Sequence, residues 1–172
     1  MQRRTKLFSL LFLVVATFGM LLPTNASAAL TGIPVTGTFT DSSGGTGQFV
    51  GTFNPQRFGV QSGKLVAIGT LVGNMTSSTG AALGTVTNAN TAIPVAAATA
   101  SCAILSLNLG PLHLNLLGLV VTLNQVHLNI TAVPGPGNLL GNLLCAIANL
   151  LNGGAADIGT LSTLLNSLLS AL

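Results

Sequence analysis

Hydrophobic and polar positions alternate over long stretches of this chain. Between Ile33 and about Thr99, short runs rich in Thr, Val, Ile and Phe are separated by turn formers such as DSSGGTG, PQ and QSG. Runs of this composition are typical of antiparallel strands joined by tight turns. This part of the chain is therefore predicted to be a β meander.

The stretch from Ser101 to Val133 also alternates, but the side that carries the apolar residues switches three times. A strand cannot change its buried face without a turn or a bulge. We predict several short strands joined at Gly110-Pro111, Leu117-Gly118 and Asn124-Gln125, although long bulged strands would give the same pattern. The apolar residues that share a face are Leu105, Leu107 and Leu109, then Leu112, Leu114 and Leu116, then Leu119, Val121 and Leu123, then Val126, Leu128 and Ile130.

Beyond the strands, the apolar period becomes helical. The leucines and isoleucine between Leu139 and Leu151 fall within an arc of about 140° at ~100° per residue. Asn138 is predicted to cap this helix and Asn152-Gly153-Gly154 to end it. Asp157 is predicted to cap a second helix with its own leucine stripe. The predicted fold is mainly β, an antiparallel sandwich or barrel-like meander, with a C-terminal pair of amphipathic α-helices.

The first 28 residues have the layout of a secretory signal peptide. Arg3, Arg4 and Lys6 precede an apolar run, and Ala26-Ser27-Ala28 provides a small-residue cleavage site. We expect cleavage after Ala28 and a secreted or cell-surface protein, with no later apolar run near the ~20 residues that span a bilayer. The predicted organisation is a signal peptide at 1–28, a β-rich domain at 29–133, and a helical hairpin at 134–172 packed on that domain.

The mature chain carries almost no charge. It keeps Arg57 and Lys64 against Asp41 and Asp157, which leaves no net charge. Nucleic-acid surfaces need clustered Lys and Arg, so no nucleic-acid partner is expected. The solvated surface must instead consist of Asn, Thr, Ser and Gly, and such a surface favours self-association.

Two cysteines, Cys102 and Cys145, remain after cleavage. In an oxidising compartment they are expected to form one disulfide, the alternative being a pair of free thiols. On the helical wheel Cys145 lies with the asparagines rather than on the leucine stripe. A bridge to Cys102 would therefore hold the first helix by its flank.

A glycine-rich loop, Gly135-x-Gly137-x-x-x-Gly141, follows a strand and opens a helix, which is the setting of many phosphate sites. Asp157 stands where a ribose-binding acid would be expected, 20 residues after Gly137. That acid should end a second parallel strand, whereas Asp157 follows Asn-Gly-Gly-Ala-Ala and begins another helix. The loop is therefore interpreted as a turn and helix start, with no cofactor.

Other candidate chemistry is sparse. His113 and His127 each head a His-Leu-Asn triplet, and we place them on a polar sheet face beside Asn115 and Asn129 rather than in a metal site, which needs about four ligands. The chain has no Glu, Tyr or Trp, and Asp41 lies in a loop expected to be a hairpin tip. No catalytic residue is assigned, and no enzyme activity is expected.

The region from Ser101 to Leu151 resembles a family of uncharacterised secreted bacterial proteins. The resemblance rests on the motifs G-P-L-x-L-x-L-L-G-L, starting at Gly110, and P-G-x-G-N-L-L-G-N-L-L-C, ending at Cys145, and the upstream FGVQSGKLVAIGTLVG is also similar. It implies location and architecture only. Members of that family often have acidic residues among the strand triplets, where this chain has Asn115, Asn124 and Asn129.

Two functions follow as expectations. The first is a non-enzymatic structural or surface-interaction protein outside the cytoplasmic membrane, with self-association as a possible outcome and its partner unknown. The second is a carrier that holds an apolar ligand in a leucine-rich cavity. An unfilled cavity lined by Leu105, Leu114, Leu119 and Leu128 would favour the carrier, whereas a filled core with exposed leucines would favour self-assembly or a partner.

Overall fold

A computed structural model describes residues 30, 32–116, 118–154 and 157–172, so the expected signal peptide at 1–28 lies outside the described residues. Across the described residues the fold is mainly antiparallel β with two C-terminal helices, as the sequence pattern predicted. The elements are β1 (Ile33–Thr40), β2 (Thr46–Gln61), β3 (Lys64–Thr76), β4 (Ala82–Ala100), β5 (Ile104–Leu109), β6 (Leu112–Leu116), β7 (Leu119–Leu123), β8 (Val126–Thr131), α1 (Leu139–Asn152) and α2 (Ile158–Ala171). Neither helix in this part of the chain is long and apolar enough to cross a membrane.

Strands β1 to β4 form a meander in which each strand pairs with the next. The sequence Pro55-Gln56, interpreted above as a turn, instead lies at a bulge within the single 16-residue strand β2. The β1 ladder ends opposite Phe53, so no strand lies beside Pro55 on that side of β2. A proline, which has no N–H to donate, is therefore tolerated at this position. The chain therefore continues as one strand through a proline.

Strands β5 to β8 form one long hairpin with a bend in the middle. Leu109 lies opposite Val126 in the β5–β8 ladder, and Leu112 lies opposite Leu123 in the β6–β7 ladder. Gly110-Pro111 and Asn124-Gln125 separate these two pairs, so the register continues through the bend. Both sequence interpretations were therefore partly correct, because the strands are short but share one register.

At the bend, each arm of the hairpin bonds to a different end of the meander. The Gly110 amide donates to the Pro94 carbonyl of β4, and the Asn124 amide donates to the Thr36 carbonyl of β1, both at 2.8 Å. Beyond these bonds β5 pairs with β4, and β7 pairs with β1. The hairpin thus spans from one end of the β1–β4 meander to the other.

The sheet is open rather than a closed barrel. Its strand order is β6-β7-β1-β2-β3-β4-β5-β8, with β6 and β8 at the edges. Strand β6 approaches β4, and β8 approaches β1, without forming a ladder in either place. Both edge strands therefore keep one side of their backbone without a strand partner among the described residues.

One face of the sheet and the helices share one hydrophobic core. Its largest fully buried side chains include Phe49 and Phe53 of β2, Leu107 of β5, Leu144 of α1 and Leu165 of α2. All four apolar faces predicted for β5 to β8 point toward this core. Helix α1 packs on α2 and β4, and α2 packs on β2, so the hairpin of helices belongs to the same folded unit.

The helix caps differ from expectation at one end. Asp157 caps α2 as predicted, with its Oδ2 accepting from the Thr160 amide at 2.8 Å. Asn138 occupies the N-cap position of α1 as predicted, and its carbonyl accepts from the Asn142 amide at 3.0 Å, but its side chain makes no capping bond. Instead Asn142, one turn later, bonds the preceding loop, with Oδ1 accepting from the Gly135 amide and Nδ2 donating to the Gly135 carbonyl.

A second amide fastens α2 to the sheet. Asn166 Oδ1 accepts from the Phe58 amide at 2.7 Å, and Asn166 Nδ2 donates to the Phe58 carbonyl at 3.0 Å. Phe58 lies in the half of β2 that extends beyond β1. The side chain thus supplies the two hydrogen bonds that a neighbouring strand would have made.

Candidate functional site

The two cysteines lie at disulfide distance, as predicted. Their sulfurs are 2.14 Å apart across a sequence separation of 43 residues. Cys102 is at the tip of the β4–β5 turn, which is closed by paired hydrogen bonds between Ser101 and Ile104. Cys145 is half-buried on α1. Around the helix it lies between the exposed side of Asn142 and the buried side of Leu144. The contact therefore holds α1 from its flank and leaves Leu144 and Ile147 facing the core, whereas Leu139 at the start of the helix is exposed.

Hydrogen bonds within the chain occupy part of the glycine-rich loop before α1. The Gly135 amide is already bonded to Asn142, and the Asn138 amide donates to the Gly135 carbonyl at 3.1 Å. A Cβ on Gly141 would overlap the Val133 carbonyl, so this glycine allows the loop to lie against the first helical turn. These glycines thus serve the turn and the packing of the helix.

The two histidines lie on exposed faces of the edge strands, beside Asn115 and Asn129 as expected. His113 Nδ1 is 3.0 Å from the Thr122 hydroxyl, its cross-strand neighbour on β7. His127 Nδ1 bonds Oδ1 of Asn108, its cross-strand neighbour on β5. Within the described residues no three His, Cys, Asp or Glu side chains come together in a way that could hold a metal ion.

Asp41 joins two loops at the end of the sheet opposite the disulfide. Its Oδ1 accepts from the Ser43 amide, the Ser43 hydroxyl and the Gly45 amide, and its Oδ2 accepts from the Ser78 amide at 2.8 Å. The Ser43 side chain, followed by Ser78, holds the pKa of Asp41 well below its usual range. The hairpin tip was predicted, but the bond to Ser78, 37 residues away, had no signal in the sequence.

The remaining charged groups are dispersed. Asp157 accepts from both the amide and the hydroxyl of Thr160, and these bonds lower its pKa. Arg57 is exposed beside the β2 bulge, and Lys64 is exposed at the start of β3. Both aspartates of the described chain therefore accept hydrogen bonds from the backbone, and they lie in separate parts of the fold.

Among the pockets lined by the described residues, two lie at opposite ends of the molecule. The first, about 560 Å³, is at the Asp41 end, and its floor includes Met75, Leu83 and Leu119. The second, about 570 Å³, is called the β4 groove here. Its lining is mostly apolar and comprises Gly63, Lys64, Leu65, Pro94, Val95, Ala96, Ala97, Ala98, Gly110, Pro111, Leu151, Ile158 and Leu161.

The four leucines proposed for a carrier cavity do not line either pocket together. Leu105 is fully buried in the core, and Leu114 and Leu128 are half-buried against it. Leu119 lines the pocket at the Asp41 end. The β4 groove, which the sequence did not predict, combines residues of β4, the hairpin bend and both helices.

All side-chain polar atoms that are buried among the described residues have a hydrogen-bond partner. Comparison with protein-family models, curated proteins and solved structures found no match to this chain.

Proposed function

We propose that the protein acts outside the cytoplasmic membrane as a non-enzymatic structural or surface-interaction protein. The observation that carries this proposal is the pair of uncovered sheet edges, β6 and β8, on a domain with almost no charge. Exposed edges offer free N–H and C=O groups to another chain, and natural monomers protect them with charges, prolines, bulges or covering elements. The sequences of these edges, LHLNL and VHLNIT, contain neither a charge nor a proline.

The side chains of the edges support the same proposal. Leu112 and Leu114 of β6, and Val126 and Leu128 of β8, point toward the core but remain half-exposed. Their neighbours on the inner strands, such as Leu107 and Val121, are fully buried. Apolar groups at both edges therefore remain partly in water, and an added strand would cover them.

Strand β2 also has a stretch without a neighbouring strand, but a side chain protects that stretch. Where β2 extends past β1, the Asn166 amide occupies the exposed backbone at Phe58. The fold therefore protects one exposed stretch of strand with a side chain, whereas β6 and β8 have no such protection among the described residues. This difference favours a role for the edges in contact with another chain.

A location outside the cytoplasm is supported by the leader-like N-terminus and by the cysteine pair. Disulfides persist in oxidising compartments and are rare in the cytosol. The absence of catalysis is proposed because the chemical groups of the described chain are dispersed. Asp41 and Asp157 are occupied by backbone and hydroxyl donors, and the two histidines lie on different strands.

A carrier of an apolar ligand is the second candidate, and the β4 groove is the observation that favours it. The groove is lined mainly by small and apolar side chains, and Lys64 could bind an anionic head group at its rim. An acidic lipid would therefore be the ligand class for this alternative.

A titration with a fluorescent fatty acid distinguishes the two candidates. The interaction protein should show no saturable binding below about 100 µM. Ala98 lies opposite Leu107 on the core face of the sheet and lines the groove, so Ala98→Phe would fill it. Ala103→Phe on the exposed β4–β5 turn is the matched control. Saturable binding that Ala98→Phe abolishes and Ala103→Phe preserves would overturn the proposal in favour of the carrier.

A further inference from the structure

The His-Leu-Asn triplet occurs twice in this chain, and the fold places one copy on each free edge of the sheet. His113-Leu114-Asn115 lies on β6, and His127-Leu128-Asn129 lies on β8. In each triplet the histidine and asparagine are exposed on the outer face, and the leucine is half-buried on the core face. The proposed function gives these triplets no specific task.

The β8 triplet has more hydrogen-bonding groups free than the β6 triplet. On β6, Asn115 Oδ1 accepts from the Gly118 amide at 3.0 Å and so holds the turn. On β8, the described residues supply no side-chain partner to Asn129, and His127 bonds through Nδ1 alone. The Asn129 amide and His127 Nε2 are therefore available to another molecule.

We infer that β8 pairs antiparallel with β8 of a second copy of this chain, about a two-fold axis at Leu128. This inference rests on the proposed function and names its partner. In this register Leu128 lies opposite Leu128, and His127 lies opposite Asn129 of the second copy. A two-fold contact requires a patch that is complementary to itself, and the triplet meets this requirement because its donor and acceptor exchange places.

The chain already contains the side-chain pair that this contact would repeat. In the β5–β8 ladder, His127 lies opposite Asn108 and bonds its side-chain oxygen. Across the new ladder the same ring would bond Asn129 of the second copy through Nε2. Leu128, half-exposed in one copy, would be covered by its symmetry mate.

Charge does not oppose this pairing. Strand β8 carries no Asp, Glu, Lys or Arg, and the chain after residue 28 has no net charge. Like charges directly opposite each other in a ladder are destabilising, and here there are none. The main-chain bonds of an added strand would supply the affinity.

Sedimentation velocity of the mature protein over a range of concentrations gives the first test. A reversible dimer is expected, and hydrogen exchange of the amides in Val126–Thr131 should slow as concentration rises. A monomer at every concentration would overturn the inference. A dimer whose protection appears at β6 or on the helices, with β8 unchanged, would also overturn it.

Asn129→Lys tests the register, because it removes the bond to His127 and places an ammonium group at both symmetric positions. The dimer dissociation constant should rise about tenfold or more. Thr52→Lys adds the same charge at an exposed position of the interior strand β2 and should leave the constant unchanged. Equal effects of the two variants would contradict the contact.

Failure of this inference can be told apart from failure of the proposed function. A monomer without saturable fatty-acid binding would remove the β8 contact and leave an interaction protein with another partner. Saturable fatty-acid binding blocked by Ala98→Phe would remove the proposed function, whatever the oligomeric state.

Discussion

Replacement of Asn166 should measure how strongly α2 stabilises the sheet. Its amide makes two hydrogen bonds to the backbone of Phe58, at 2.7 and 3.0 Å, in a partly buried position. Each bond is worth about 1 kcal/mol, and each backbone group left unsatisfied in a buried place costs about 1–3 kcal/mol. Ala is a better helix former than Asn by roughly 0.5 kcal/mol, which offsets part of the loss. Asn166→Ala should therefore lower the free energy of unfolding by about 2 kcal/mol.

Urea unfolding followed by circular dichroism is the assay. The exposed Asn149 on α1 is a matched control, because the described residues give its side chain no hydrogen-bond partner. Asn149→Ala should be neutral or slightly stabilising. Asn166→Asp keeps the shape but replaces the amide donor with an oxygen that faces the Phe58 carbonyl, so it should destabilise the protein at least as much as Asn166→Ala. If Asn166→Ala and Asn149→Ala unfolded at the same urea concentration, the bridging role of Asn166 would be refuted.

Three further predictions concern the bridge, the caps and pH. Cys102→Ser should lower the free energy of unfolding by about 4 kcal/mol in the chain-entropy model, and reduction of the wild-type protein should match it in the same urea assay. Asp157→Ala should lower the thermal unfolding midpoint, whereas Asn138→Ala should change it little, and equal shifts would contradict the assignment of the caps. The depressed pKa of Asp41 stabilises the fold above the unfolded-state pKa of about 3.9, and this stability is lost as pH falls toward the folded-state pKa. The difference in midpoint between the wild type and Asp41→Asn should therefore shrink below about pH 4, and a constant difference down to pH 2 would show that the charge does not contribute.

Local features of the fold were predictable because their causes are local. Alternation of Leu105, Leu107 and Leu109 with polar residues fixes which face is buried. The same reasoning located the joins at Gly110-Pro111 and Asn124-Gln125. Asp157 was identified as a cap because its bonding partner is three residues away.

Features that depend on residues distant in sequence were not predictable in this way. Asn166 and Phe58 are separated by 108 residues, and no periodicity links them. The continuous register of the bent hairpin and its attachment to both ends of the meander depend on how the whole sheet curls. Asn138 and Asn142 occupy similar positions in repeated Asn-Leu-Leu sequences. Only the path of the preceding loop decides which of the two asparagines forms hydrogen bonds with that loop.

The candidate site also combines features with local causes, which could be predicted, and features that depend on distant residues, which could not. The sequence placed the histidines on an exposed polar face and paired the two cysteines, and both features depend on short-range pattern or composition. That the His-Leu-Asn triplets occupy the two edges of the sheet follows from strand order, which the alternation does not specify. The β4 groove combines five separate segments of the chain, so no local pattern indicated it.

Native mass spectrometry of the mature protein, purified from its own host, separates an interaction protein from a carrier in one measurement. A protein-only species is expected, present as a dimer or bound to another protein chain, without a small-molecule adduct. A monomer that carries a co-purifying lipid would contradict the proposed function.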